Sequence, residues 1–268
     1  GGVIFISIYI QEMRDRKRCR EDTTVRIGIE VETCIDRQAF KDRVGMFVAE
    51  EDSSIRCSYP YEPWEFVTRE PVFYTQSFTF PNQHESFRRM MRDLKEVISI
   101  TSDCINKSCG LHVHMSLPTT VNENPFLFVL MQREWIRTFQ ERCIREHNMR
   151  TRADVYAALN EKIVPFQNLS KYMALNLLPT FYNKDGEDIR QEELVYHVEF
   201  RGRGDAHKEF ATRSLRSGPS ANQTSFQSYI DFLARFLLHA SSIPLGDLAV
   251  ADLSDLRLTR ASFKFRSD

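Results

Sequence analysis

The sequence predicts one α+β domain in which a largely antiparallel sheet carries its helices on one face. Alternating polar and apolar runs, rich in β-branched and aromatic residues, mark strands over 25–34, 43–49, 64–68, 72–80, 110–117 and 195–203. Segments of helical period separate some of these runs. The order of strand pairs and long helices has no regular βαβ rhythm, which favours antiparallel pairing with helices gathered on one side.

Taken in order, the chain opens with an extension over 1–24, ahead of a single domain over 25–268. Its apolar stretch Val3 to Ile10 is too short to span a bilayer and reads as an edge strand or ordered extension. The run Arg14-Asp15-Arg16-Lys17-Arg18-Cys19-Arg20 reads as solvated surface. Residues 50–63 form an irregular connection. In 83–100, Phe87, Met90, Met91, Leu94, Val97 and Ile98 fall on one helical stripe, with Arg88, Arg89, Arg92 and Lys95 elsewhere. A longer helix covers 126–147. Another runs from Phe226 to Leu238, and its stripe of Phe226, Tyr229, Phe232 and Phe236 belongs to the core.

Composition sets limits on function. A chain of 268 residues, 42% of them hydrophobic, is long enough for one large core. A formal net charge of -1 and a pI near 6.7 argue against an electrostatic nucleic-acid binder. The six cysteines, Cys19, Cys34, Cys57, Cys104, Cys109 and Cys143, contain no Cys-x-x-Cys pair and read as reduced thiols of a cytoplasmic protein, with Cys104 and Cys109 able to approach each other.

Chemistry-bearing residues recur at every second position in three of the predicted strands. In Gly28-Ile29-Glu30-Val31-Glu32 both carboxylates fall on one face. In Gly110-Leu111-His112-Val113-His114-Met115-Ser116 both imidazoles do, with a glycine just before them that permits close approach by a ligand. Val198-Glu199-Phe200-Arg201 sets a carboxylate beside a guanidinium. Each motif alone also fits an ordinary solvated strand face.

The order of the set carries more. Glu30-x-Glu32, then Glu65 and Glu70, then His112-x-His114, then Asn176, then Glu199-x-Arg201 resembles the active-site series of the glutamine synthetase and glutamate-cysteine ligase superfamily, and its amidoligase branch in particular. The resemblance runs from about residue 25 to about residue 205. It implies a glutamine synthetase-like catalytic domain with a curved sheet, and ATP-dependent joining of a carboxylate (amino acid, peptide or peptidoglycan fragment) to an amine through an acyl phosphate. Two or three Mg²⁺ or Mn²⁺ ions would assist, since such ions prefer carboxylate oxygen and clamp phosphates. By the same resemblance, Glu32, Glu65 and Glu70 hold the ion nearest the reacting groups, and Glu30, His112 and Glu199 hold the one on the ATP phosphates. His114, Lys171 and Arg203 serve the nucleotide. Arg201 meets the transferred phosphoryl group, and Asn176 and Glu65 act beside it.

Three positions depart from a simple match. Lys171 stands where the amidoligases tend to carry arginine and lacks a bidentate fork. Glu70, between Arg69 and Pro71, also reads as a surface carboxylate paired with an arginine. Arg203 and Asp205 either extend the site or close the strand in a turn. Two other readings remain: a cupin-type β-barrel holding iron or zinc on His112, His114 and a distant Glu, and a catalytically silent ligase-fold binding module. The long helices do not suit a jelly roll.

Overall fold

The computed structural model describes residues 24–70, 72–75, 85–101, 104–121, 123–149, 156–165, 168–181, 195–204 and 221–244. The extension before residue 24, the basic run at 14–20, residues 76–80 of the predicted fifth strand and Asp205 lie outside them.

Eight strands form one sheet: β1 (Thr24–Asp36), β2 (Arg43–Val44), β3 (Phe47–Glu51), β4 (Tyr61–Thr68), β5 (Val72–Thr75), β6 (Leu111–Thr120), β7 (Leu175–Asn176) and β8 (Val195–Phe200). The strand order is β2-β3-β4-β1-β6-β8-β7, all pairs antiparallel. β5 pairs with the first half of β1 on the edge opposite β6, so β4 and β5 run consecutively along one side of β1. The helices are α1 (Glu85–Thr101), α2 (Leu127–Glu134), α3 (Gln140–His147) and α4 (Ala221–Ser242). The sheet is α+β and antiparallel, as the patterning requires, and the described strands do not close into a barrel.

Period-2 alternation divides the sheet into two faces. Val25, Ile27, Ile29, Val31 and Ile35 of β1, with Leu111, Val113 and Met115 of β6 and Val198 and Phe200 of β8, sink into one core with the helices. α1 buries the predicted stripe of Phe87, Met90, Met91, Leu94, Val97 and Ile98 there. α4 buries Phe226, Tyr229, Phe232 and Phe236 against it as well. The opposite face carries the polar set, with a small second cluster of Cys34, Ile55, Ile105 and Cys109 near the end of β1.

Several boundaries differ from the sequence reading. The strand expected over 43–49 breaks into β2 and β3, because Gly45 takes a left-handed turn at φ 57°. The helix expected over 126–147 carries a π-helical turn at Trp135–Phe139 between α2 and α3. There Trp135 and Phe139 pack on Phe236, and the Trp135 indole N–H donates to Gln140 Oε1 at 3.1 Å. β7 has no patterning of its own. Asn160 positions it, accepting from Leu175 N–H at 3.0 Å and donating to Leu175 O at 3.2 Å.

The cysteines are not all thiols. Cys34, on β1, is joined by a disulfide to Cys57 in the connection between β3 and β4, and Cys104, Cys109 and Cys143 are free. The spacing test missed the bridge because its partners are 23 residues apart, meeting only when the connection folds back on β1. No helix among the described residues is long and apolar enough to cross a membrane.

Candidate metal and active site

Strand register gathers the chemistry-bearing residues into rows across the open face. Gly28, His114, Glu199 and Asn176 are neighbours on β1, β6, β8 and β7. One row on, Glu30 stands opposite His112. Glu32 then stands opposite Glu65 of β4. All of them line one cavity of about 1030 Å³, with Lys171 and Arg201 also on its wall.

Glu30 is central. Its Oε1 lies 3.1 Å from His112 Nδ1 and its Oε2 lies 3.0 Å from His114 Nε2. His112 Nε2 stands 3.3 Å from Glu32 Oε1, and His114 Nε2 stands 3.2 Å from Glu199 Oε2. The other oxygen of Glu199 is held by Arg201 Nη1 at 2.7 Å and by the Asn176 amide at 3.3 Å. Arg201 Nε donates to the carbonyl of Tyr156 at 2.9 Å, which fixes the guanidinium in the wall.

Two groups have ligand atoms within 4.8 Å of one another: Glu30 with His114 and Glu199, and Glu30 with Glu32 and His112. Glu30 belongs to both. The resemblance puts His112 with Glu30 and Glu199; its Nδ1 lies 3.1 Å from Glu30 and 4.0 Å from Glu199, while His114 Nε2 comes closer to Glu199, at 3.2 Å. The reason is register, which brings Glu199 directly opposite His114.

The electrostatics follow from packing many charges together with little water. Burial pushes the Glu30 carboxyl up, but hydrogen bonds and charge from His112 and His114 outweigh it and hold it well below the usual carboxylate range. Glu199 is depressed by the same two histidines against its burial. Glu32 rises to about 7 through burial and the charges of Glu30 and Asp52, and Glu65 rises to about 9 for the same kinds of reason. Hydrogen bonds and charge from Glu199 and Glu30 overcome burial to raise His114 to about 10. The site thus stores protons where a divalent cation would balance the carboxylates instead.

Other expected residues divide. Glu65 is 4% exposed and lies in the cavity near Glu32 without joining either ligand group. Glu70 sits at the cavity edge, where its exposed carboxylate is 3.9 Å from Arg89 on α1, the surface pairing that its neighbours allowed. Lys171 rests with Nζ 4.9 Å from the Tyr172 ring. Arg203 does not reach the site. β8 ends at Phe200, the chain turns, and the Arg203 guanidinium goes to the helix side, donating to His147 O at 2.5 Å and lying over Tyr229.

The sequence reading missed His197. Its Nε2 is 2.9 Å from His114 Nδ1, and it lines the cavity. The signal was present, because His197, Glu199 and Arg201 continue one alternation.

No protein-family model matches the chain, and the comparison with curated proteins finds no match. Among solved structures, the chain is similar to one described as "Crystal structure of novel glutamine synthase homolog", at 13% identity and a TM-score of 0.40. That likeness covers 96% of this chain, which spans 66% of the other.

Proposed function

We propose that this chain is an ATP- and Mg²⁺-dependent carboxylate-amine ligase of the amidoligase type, with a glutamine synthetase-like catalytic domain. The observation that carries the reading is the sharing of Glu30 between two oxygen-rich ligand groups, with the Glu199–Arg201 pair beside them. This arrangement joins all three motifs of the resemblance at one place.

The donor chemistry fits the proposed ions. Each group offers two carboxylates and one imidazole, a hard, oxygen-rich set suited to Mg²⁺ or Mn²⁺ and poor in the thiolates that select softer metals. When bound, Mg²⁺-ATP would supply the phosphoryl group that activates a carboxylate and neutralise its oxygens.

The residues of the chain then have distinct tasks. Glu30, Glu199 and His114 would hold one ion, and Glu30, Glu32 and His112 another. Arg201, held by Glu199 and the Tyr156 carbonyl, would turn its remaining N–H groups toward phosphoryl oxygens. Asn176 keeps Glu199 in place through its amide. Glu65, raised to about 9 by burial and its neighbouring carboxylates, faces Glu32 in the cavity and would accept a proton from the attacking amine only in its ionised form.

The test is release of ADP and phosphate with Mg²⁺ across a panel of amino acid and peptide carboxylates and amines, the parent measured beside Glu199→Gln. Release that depends on both partners and is lost in the variant supports the reading. Mg²⁺-ATP that fails to bind the parent at all removes it.

A further inference from the structure

Beside the ligand rows the sheet carries another row, and it is rich in donors. Arg26, Ser116 and His197 are register neighbours on β1, β6 and β8. They share the cavity face because Ile27, Met115 and Val198 turn into the core. The next row begins with Gly28, which has no side chain, so bare backbone separates Arg26 from Glu30 along β1.

Arg26 is held but unpaired. Its guanidinium lies 5.7 Å from the ring of Phe73 on β5, and it has no carboxylate partner among the described residues. The other guanidinia on the cavity wall are engaged, Arg69 by Glu50 and Arg201 by Glu199. His197 is equally fixed: its N–H donates to Thr180 Oγ1 at 3.1 Å, and its carbonyl accepts from the same hydroxyl at 2.8 Å. Its Nε2 faces His114, and its Nδ1 has no hydrogen-bond partner among the described residues. A guanidinium stacked on an aromatic face loses little entropy on meeting an oxyanion, and its fork suits phosphate or carboxylate geometry.

We infer that Arg26, with Ser116 and His197 beside it, forms an oxyanion subsite that receives a phosphate or carboxylate group of a ligand whose other end lies on Glu30 and Glu199. This rests on the ligase reading above. His197 and Glu199 are two apart on β8, about 7 Å, while Arg26 and Glu30 are four apart on β1, about 13 Å, a span that a triphosphate-sized ligand and the long arginine side chain cover together. A divalent cation held by Glu30 and Glu199 would draw an anion toward this row, so the subsite is tested with the cation present.

Calorimetry at saturating Mn²⁺ tests this with two probes, inorganic triphosphate and glutarate, on the parent, Arg26→Gln and Arg26→Lys. Arg26 is exposed, so the variants keep the fold, and their Mn²⁺ affinity should equal that of the parent. The expected result is a loss of about tenfold or more for one probe in Arg26→Gln, partly restored by Arg26→Lys. Loss for triphosphate assigns the row to nucleotide phosphate, and loss for glutarate assigns it to the carboxylate substrate. If Arg26→Gln binds both probes like the parent, the subsite is overturned and the ligase reading stands. A parent that takes Mn²⁺ but neither probe also overturns the subsite, and the ligase reading falls with it only if Mg²⁺-ATP fails to bind as well.

Discussion

Glu199 and Arg201 stand two residues apart on β8, point into the same cavity, and are joined at 2.7 Å with only small parts of either side chain exposed. The pair puts a metal-type ligand and a phosphate-type ligand in one rigid unit. Replacing Arg201 by Lys keeps the charge but loses the hold on both Glu199 and the Tyr156 carbonyl. Turnover should fall about 100-fold, equivalent to about 3 kcal/mol, with a smaller loss of Mn²⁺ affinity from the freed Glu199. Steady-state kinetics beside a Mn²⁺ titration separates the two effects, and equal losses in both would mean that Arg201 serves only to place the carboxylate.

Gly110 makes a different prediction. A Cβ there would collide with the His112 ring and come 2.7 Å from Glu32 Oε1, and neither group can retreat from its buried hydrogen-bonding set. Gly110→Ala should therefore lower Mn²⁺ affinity at least tenfold while the sheet stays folded, since the clash falls on the Glu32–His112 ligand group rather than on the core. Far-ultraviolet circular dichroism beside calorimetry checks both halves.

The proton balance predicts a pH dependence. Glu32 is raised from 4.5 to about 7 and Glu65 from 4.5 to about 9. A carboxyl with a raised folded-state pKa contributes stability that is fully present below its ordinary value and lost as pH rises through the raised one. For Glu32 that is about 3 kcal/mol, withdrawn between roughly pH 4.5 and pH 7. His114, raised to about 10, adds a loss of the same sign at higher pH. His197, lowered to about 4 by burial and the charge of His114, gives the opposite slope up to about pH 6.5 and offsets Glu32 there, so the metal-free protein should melt at progressively lower temperature from about pH 7 to pH 9, and Mg²⁺ or Mn²⁺ should reverse that slope by replacing protons. Thermal melts with and without the ion, and proton release in buffers of different ionisation enthalpy, measure it.

Much of this architecture was legible in the sequence because it depends on alternation. Glu30, Glu32, His112, His114, Glu199 and Arg201 occupy the polar phase of three strands, and once those strands pair the side chains have to share a face. Glu30 and Glu199 both reach His114, the geometry that the strand phase demanded. What alternation does not reveal is register, which sets His114 closer than His112 to Glu199. It also fails past a strand end: Arg203 keeps the phase of Arg201 on paper, but the chain has turned by then and sends it to the helices. β7 and the Cys34–Cys57 bridge depend on contacts made from distant segments, through Asn160 and through the folded-back connection, and no local pattern signals either.

The central claim is that the Glu30-centred cluster is a site for a hard divalent cation with a nucleotide, and calorimetric titration tests it most directly. Mg²⁺ or Mn²⁺ should bind the parent protein, ATP should bind only when one of them is present, and Glu199→Gln should weaken that ATP binding about tenfold or more, because it removes a negative ligand already engaged in the ground state. Tight binding of Zn²⁺ or Fe²⁺ with no response to Mg²⁺-ATP, and a Glu199→Gln variant indistinguishable from the parent, would contradict it.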